Sequence, residues 1–179
     1  MTGTSDAVPQ RPDLAEELVR RAKLDQHARG VREDGQRAEP DHEAMVRVDR
    51  DNTTWLETVL DEHGWPGRTL VGEEGASCAW LLAQHADHDG QFQSKALRLL
   101  EEAVRAGEAA ARHWAYLVDR TRTGRNEPQV YGTQYVTDAA GSFGPRPIED
   151  PDQLDERRTA VGLEPHAEYD ARMRERYPH

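Results

Sequence analysis

At 179 residues the chain is long enough for one domain with a real core and too short for two ordinary ones. Its 23 Lys and Arg against 34 Asp and Glu give a net charge of −11, which repels phosphate backbones and anionic lipid, so neither nucleic acid nor a membrane is an expected partner. The single cysteine, Cys78, excludes an internal disulfide and a Cys-rich zinc site, and with 36% hydrophobic against 32% charged residues each helix can bury only one stripe.

Residues 1–11 are small, polar and proline-interrupted, and read as a disordered leader without the basic flank and apolar centre of a signal peptide, so the expected location is cytoplasmic. A first helix is predicted over Pro12–Arg29, with proline in its first turn and Gly30 as its stop. Leu14, Leu18 and Ala22 form its apolar stripe, and Asp25 and Arg29 continue that stripe as a polar i,i+4 pair. That pair is either a helix-end salt bridge at the core margin or a pair facing a pocket. After a charged loop at 31–39, Pro40 and Asp41 open the longest helix, which runs to His63. Its face collects Met45, Val48, Leu56, Val59 and Leu60, and Asp49, Asn52 and His63 fall in the same sector.

The stretch from His63 to Gln93 packs a helix stop (His63-Gly64), a turn (Trp65-Pro66), a hinge at Gly72 and a third helix, Glu73–Asp87, ending in Gln84-His85-Ala86-Asp87. This helix is predicted to bury Cys78, Leu81 and Leu82 with His85 on the same side and Asp87 pointing away. His85 and Asp87 therefore could not chelate one ion from a regular helix, and converge with His63 only if the helix end frays. Cys78 lies two turns before His85, about 10 Å along the axis, too far for a thiolate–imidazole pair.

A fourth helix follows over Gln91–Ala106, carrying Phe92, Ala96, Leu99, Leu100 and Ala103, with Gln93 near the polar end of the third. A fifth, Glu108–Thr121, packs Trp114, Leu117 and Val118 and ends in Asp119-Arg120. The one Val/Tyr/Thr-rich run, Gln129–Thr137, with Phe143–Ile148 predicts a hairpin at about 129–148. Strand alternation would put Tyr131, Thr133 and Tyr135 on one face and Val130, Gly132, Gln134 and Val136 on the other. A helix from Asp150-Pro151 to Val161 and a last, charged one from Pro165 to about Tyr177 complete the chain. The expected fold is mainly α: a single-domain, bundle-like helical body over 12–177 with one β-hairpin.

Six spaced motifs, Asp25-Gln26-x-x-Arg29, Asp49-x-x-Asn52, His63-Gly64-Trp65-Pro66, Gln84-His85-Ala86-Asp87, Tyr116-Leu117-x-Asp119-Arg120 and Tyr131-Gly132-Thr133-Gln134, occur in order. Together the motifs, spanning about residues 12–170, resemble a bacterial family of unknown function, and the resemblance implies domain extent but no reaction. The residues themselves suggest a small-molecule pocket in which His85 is a general acid or base tuned by Asp49 or Asp87. Asp25, Arg29, Asn52, Gln84, Gln93, Asp119, Arg120, Tyr131 and Gln134 are the expected ligand-binding groups, with Arg29 or Arg120 holding an anionic part of the substrate. No metal and no cofactor is expected. Two alternatives stand beside this one: a non-catalytic ligand-binding or interaction module, and a metal-dependent hydrolase using His63, His85 and Asp87. The sequence assigns no oligomeric state.

Overall fold

The structure is a computed structural model that describes residues 8–32, 34 and 36–177. It is mainly α, with seven α-helices and one two-stranded antiparallel hairpin among the described residues. No helix among them is long and apolar enough to cross a membrane. Residues 1–7 of the expected leader lie outside the described set. Within it, the backbone amides of Gln10 and Arg11 donate to the carbonyls of Thr69 and Leu70 at 3.2 and 2.8 Å. The chain divides after Ala109 into two compact units.

The first unit holds α1 (Pro12–Ala28), α2 (His42–His63), α3 (Arg68–Gln84) and α4 (Gly90–Arg105). Each start and stop has a local cause. Pro12 sits where the helix needs no N–H, Asp41 accepts from the amide of Ala44, Asp89 accepts from Gln91 and Phe92, and Gly64 leaves α2 with φ +70°. The third helix begins earlier than expected, at Arg68, because one turn precedes the kink at Gly72, whose φ of +74° interrupts the helix where the sequence placed a hinge.

The fifth helix, α5 (Ala111–Gly124), starts three residues later than expected. Glu108 is the reason: its carboxylate caps the start of α3, accepting from the Thr69 amide at 2.8 Å and hydroxyl at 2.7 Å, while its carbonyl accepts from the Arg68 amide. Glu108 thus turns back towards α3 before a new helix can start. In the core of this unit Leu18, Leu56, Phe92 and Leu100 are almost wholly buried, each worth roughly 1.5–3 kcal/mol relative to exposure. Between them Ala79, Ala83, Ala86 and Ala96 are sealed, and Gly75 lets α3 approach Ala15 of α1 closely. Cys78 and Leu81, expected to be buried, are half-buried, because the face of α3 turned inward runs through Val71, Gly75, Ala79, Leu82 and Ala86.

The second unit holds α5, β1 (Tyr135–Thr137), β2 (Phe143–Pro145), a 3₁₀ turn (Pro151–Gln153), α6 (Leu154–Ala160) and α7 (His166–Arg176). β1 and β2 pair with Val136 opposite Gly144. Its core joins Ala115, Tyr131 and Leu163, flanked by Trp114, Tyr116, Val118, Val130 and Val161. The paired part of the hairpin is much shorter than the sequence suggests. Residues 130–134 are not strand, so the alternation expected for Tyr131, Thr133 and Gln134 does not hold. The amides of Val130, Tyr131 and Thr133 turn onto the Asp119 carboxylate instead, that of Gln134 donates to Gln129 Oε1, and Gly132 takes φ +68°.

Candidate functional site

Four side chains of the first unit form a continuous hydrogen-bonded network: Asp25 and Arg29 at the end of α1, Asp49 on α2, and His85 just past α3. Helical spacing of four puts Asp25 and Arg29 on one face, and Arg29 Nη1 donates to Asp25 Oδ1 at 2.7 Å. Arg29 Nη2 reaches across to α2 and donates to both oxygens of Asp49 at 2.9 Å. His85 Nδ1 lies 2.8 Å from Asp25 Oδ1, and Gln26 Nε2 donates to Asp25 Oδ2 at 2.9 Å.

Asp25 is fully buried, whereas the side chains of Arg29, Asp49 and His85 keep 17%, 16% and 16% of their surface. The carboxylate that organises the network is sealed, and the groups around it can be reached. Burial pushes the Asp49 carboxyl above its ordinary range, against the pull of Arg29. The contact between His85 and Asp25 also fixes a tautomer. An ionised carboxylate only accepts, so in the neutral imidazole Nδ1 carries the proton and Nε2 carries the lone pair.

Asn52 stands one turn after Asp49 on α2 and meets α1 one turn before Asp25. Its Oδ1 accepts from Arg21 Nη1 at 3.1 Å, and Arg21 is held by Glu17 and Asp51 and lies over the Trp55 ring at 4.6 Å from its centroid. The sequence reading did not include Arg21. Its signal was available, since Arg21 precedes Asp25 by four residues on the stripe already assigned to the inner face.

Gln93 and His63, two further expected site residues of this unit, hold partners outside the network. Gln93 Nε2 donates to the carbonyls of Ala83 and Gln84 and to Asp87 Oδ1, so it satisfies the open C-terminal end of α3. Gln84 is buried and Asp87 is exposed. His63 has its Nε2 3.2 Å from Arg11 Nη1. Burial raises the Cys78 thiol to about 11, which leaves it protonated at neutral pH.

Four expected residues belong to the second unit, where they build a loop. Asp119, fully buried on α5, accepts from the amides of Val130, Tyr131 and Thr133 and from the Thr133 hydroxyl. Tyr131 is buried edge-on to Trp114, with ring centroids 6.0 Å apart. Gln134 Nε2 donates to Thr133 Oγ1, and Gln134 Oε1 accepts from Arg120 at 3.4 Å. Two further residues brace this loop and were not foreseen. Gln129 donates to the carbonyls of Gln134 and Arg146, and Arg158 donates to the carbonyls of Tyr131 and Glu164. Only a long-range fold makes such buried polar side chains useful, so no local pattern marks them.

Chemically, the first unit's network can hold a proton at His85 Nε2, present a carboxylate at Asp49, and exclude water from Asp25. Asp25, Asp49 and His85 also offer one ligand atom each within 4.8 Å of one another, a spacing that suits a cation. Such an ion would compete with Arg29, whose guanidinium contacts both carboxylates. A groove of about 900 Å³ lies elsewhere in this unit, along Val19, Lys23, Arg68 and Gly72. None of the four network side chains lines it, and its charged walls pair at the surface, Arg20 with Glu17 and Arg68 with Glu73.

No curated protein and no solved structure matches the chain. The model of the family of unknown function DUF6624 matches residues 12–178, and the chain belongs to that family.

Proposed function

We propose that the first unit binds a small polar molecule at the Asp25–Arg29–Asp49–His85 network and that His85 Nε2 acts there as general base or acid. The observation that carries this reading is the 2.8 Å contact between His85 Nδ1 and the fully buried Asp25 carboxylate. A carboxylate behind an imidazole holds its ring and tautomer and supports the charge that appears when the far nitrogen takes a proton. A helical core needs no such group. Two acids, an arginine and a histidine among apolar helices cost several kcal/mol in desolvation that Leu or Ala would avoid. No cofactor enters the reading. Asp87, exposed beside Gln93, has no part in it, and Asp49 is the second carboxylate of the network.

A second reading rests on the 4.8 Å grouping of Asp25, Asp49 and His85, which suits a metal-assisted reaction better than the set His63, His85 and Asp87 read from the sequence. One experiment tests both readings. Thermal unfolding of wild type and His85→Ala is followed against a panel of small metabolites and divalent metals, since binding to the folded state raises the midpoint. Small polar compounds are expected to raise the wild-type midpoint and not that of His85→Ala. Zinc or manganese raising it instead, with the gain lost in Asp49→Asn, would establish the metal reading. Equal responses from wild type and His85→Ala would remove His85 from the site.

A further inference from the structure

The buried amide of Asn52 carries an inference about what the network binds. Asn52 is 3% exposed, and its Nδ2 has no hydrogen-bond partner among the described residues. The orientation of that amide is not arbitrary. A guanidinium can only donate, so the end of Asn52 facing Arg21 must be the oxygen, and the nitrogen is the end left over. A buried, unpaired donor is among the costlier features a core can carry, and leucine in its place would cost nothing of the kind. Asn52 sits on the face of α2 that carries Asp49, opposite the face of α1 that carries Arg21, Asp25 and Arg29, one helical turn from the network on each helix.

The pairing of the two arginines narrows the class of ligand. Arg29 is the cation of the network, and both of its terminal nitrogens are already spent, Nη1 on Asp25 and Nη2 on the two oxygens of Asp49. Arg21 is likewise held by Glu17, Asp51 and Asn52. Both guanidinium groups are thus already paired with acids of the chain, and the one donor without a partner is the neutral amide of Asn52. An anion would find neither arginine open to it, whereas an uncharged carbonyl oxygen needs only a neutral donor.

We propose that Asn52 Nδ2 donates to an uncharged carbonyl oxygen of the bound molecule, so that the site takes carboxamides or comparable neutral carbonyl compounds and rejects the matching carboxylates. This rests on the reading of the network as a ligand site, and it replaces the anionic substrate expected from the sequence. The Asn52 donor contributes recognition, and His85 Nε2 handles the proton.

The test uses the full chain and matched probe pairs: acetamide with acetate, benzamide with benzoate, and glutamine with glutamate. Thermal-shift titrations are run on wild type, Asn52→Leu, Asn52→Asp and His85→Ala. At least one amide is expected to bind wild type tenfold or more tightly than its acid, and to bind both Asn52 variants several-fold more weakly than it binds wild type. Asn52→Leu removes the unpaired donor but also an acceptor for Arg21, which keeps Glu17 and Asp51, so its melting midpoint is expected to stay close to that of wild type. Should it fail to fold, Asn52→Asp keeps the volume and the acceptor for Arg21 while deleting the donor, and its response decides. Acids binding wild type as tightly as amides, no amide binding to wild type, or amide affinity undiminished in the Asn52 variants would each overturn the proposal. The two readings fail separately. Amide binding weakened in the Asn52 variants but kept in His85→Ala sustains the carbonyl site and removes the base. Binding lost only in His85→Ala does the reverse.

Discussion

A fully buried carboxylate must be surrounded by donors, and this chain does so in two different ways. Asp119 is met mostly by backbone, the amides of Val130, Tyr131 and Thr133, with the Thr133 hydroxyl. Asp25 is met by side chains alone, those of Arg29, His85 and Gln26. Backbone donors fix a loop, whereas side-chain donors that keep part of their own surface can pass an interaction on to a ligand. Asp119→Ala is therefore expected to be a folding mutation, leaving three amides and a hydroxyl unpaired and costing at least about 3 kcal/mol in urea unfolding. A cost below about 1 kcal/mol would show that the loop does not depend on it. At this scale helical period was informative: it placed Asp25, Arg29, Asp49 and Asn52 on inward faces, and placed His85 on the buried side of its helix. It could not tell an acid that serves a loop from one that serves a site, because that depends on which backbone lies opposite.

Among the elements, the sequence marked the helices well and the loops poorly, for a physical reason. Helix ends are set by nearby residues such as Pro12, Asp41, Gly64 and Asp89, which lie in the sequence beside what they cap. The late starts of the expected strand and of α5 are set at long range. Val130 to Gln134 look like strand by composition, yet Asp119, eleven residues before Val130, draws the amides of Val130, Tyr131 and Thr133 out of a ladder, and Gln129 Oε1 takes that of Gln134. Glu108 looks like the first turn of a helix, yet its carboxylate is engaged by Thr69, 39 residues earlier. Gly132 shows why the loop tolerates this shape. It takes φ +68°, and a Cβ there would lie 2.8 Å from His166 Cδ2, so the ring of α7 packs on bare backbone.

For the whole molecule, the mainly helical fold followed from the number of amphipathic stretches, while the division after Ala109 has no sign in composition. Its second unit should respond to acid. Burial, then Arg158, depresses the pKa of His166, with Asp170 and Asp155 pulling the other way. A depressed histidine adds stability that is present above its ordinary value of 6.5 and is lost as pH falls through the lower folded value. Urea midpoints of the full chain are expected to fall as pH drops below about 6.5, and His166→Asn to flatten that fall. An unchanged slope in the variant would assign the acid response elsewhere. The first unit carries the functional account, and that account depends on which nitrogen of His85 bears the proton. Long-range nitrogen–proton correlation spectra of the neutral ring, recorded with and without a compound that raises the melting midpoint, measure this directly. The prediction is a protonated Nδ1 and a bare Nε2 whose resonance moves as the compound binds. A proton on Nε2 with Nδ1 bare, or an Nε2 resonance unmoved at saturation, would contradict it.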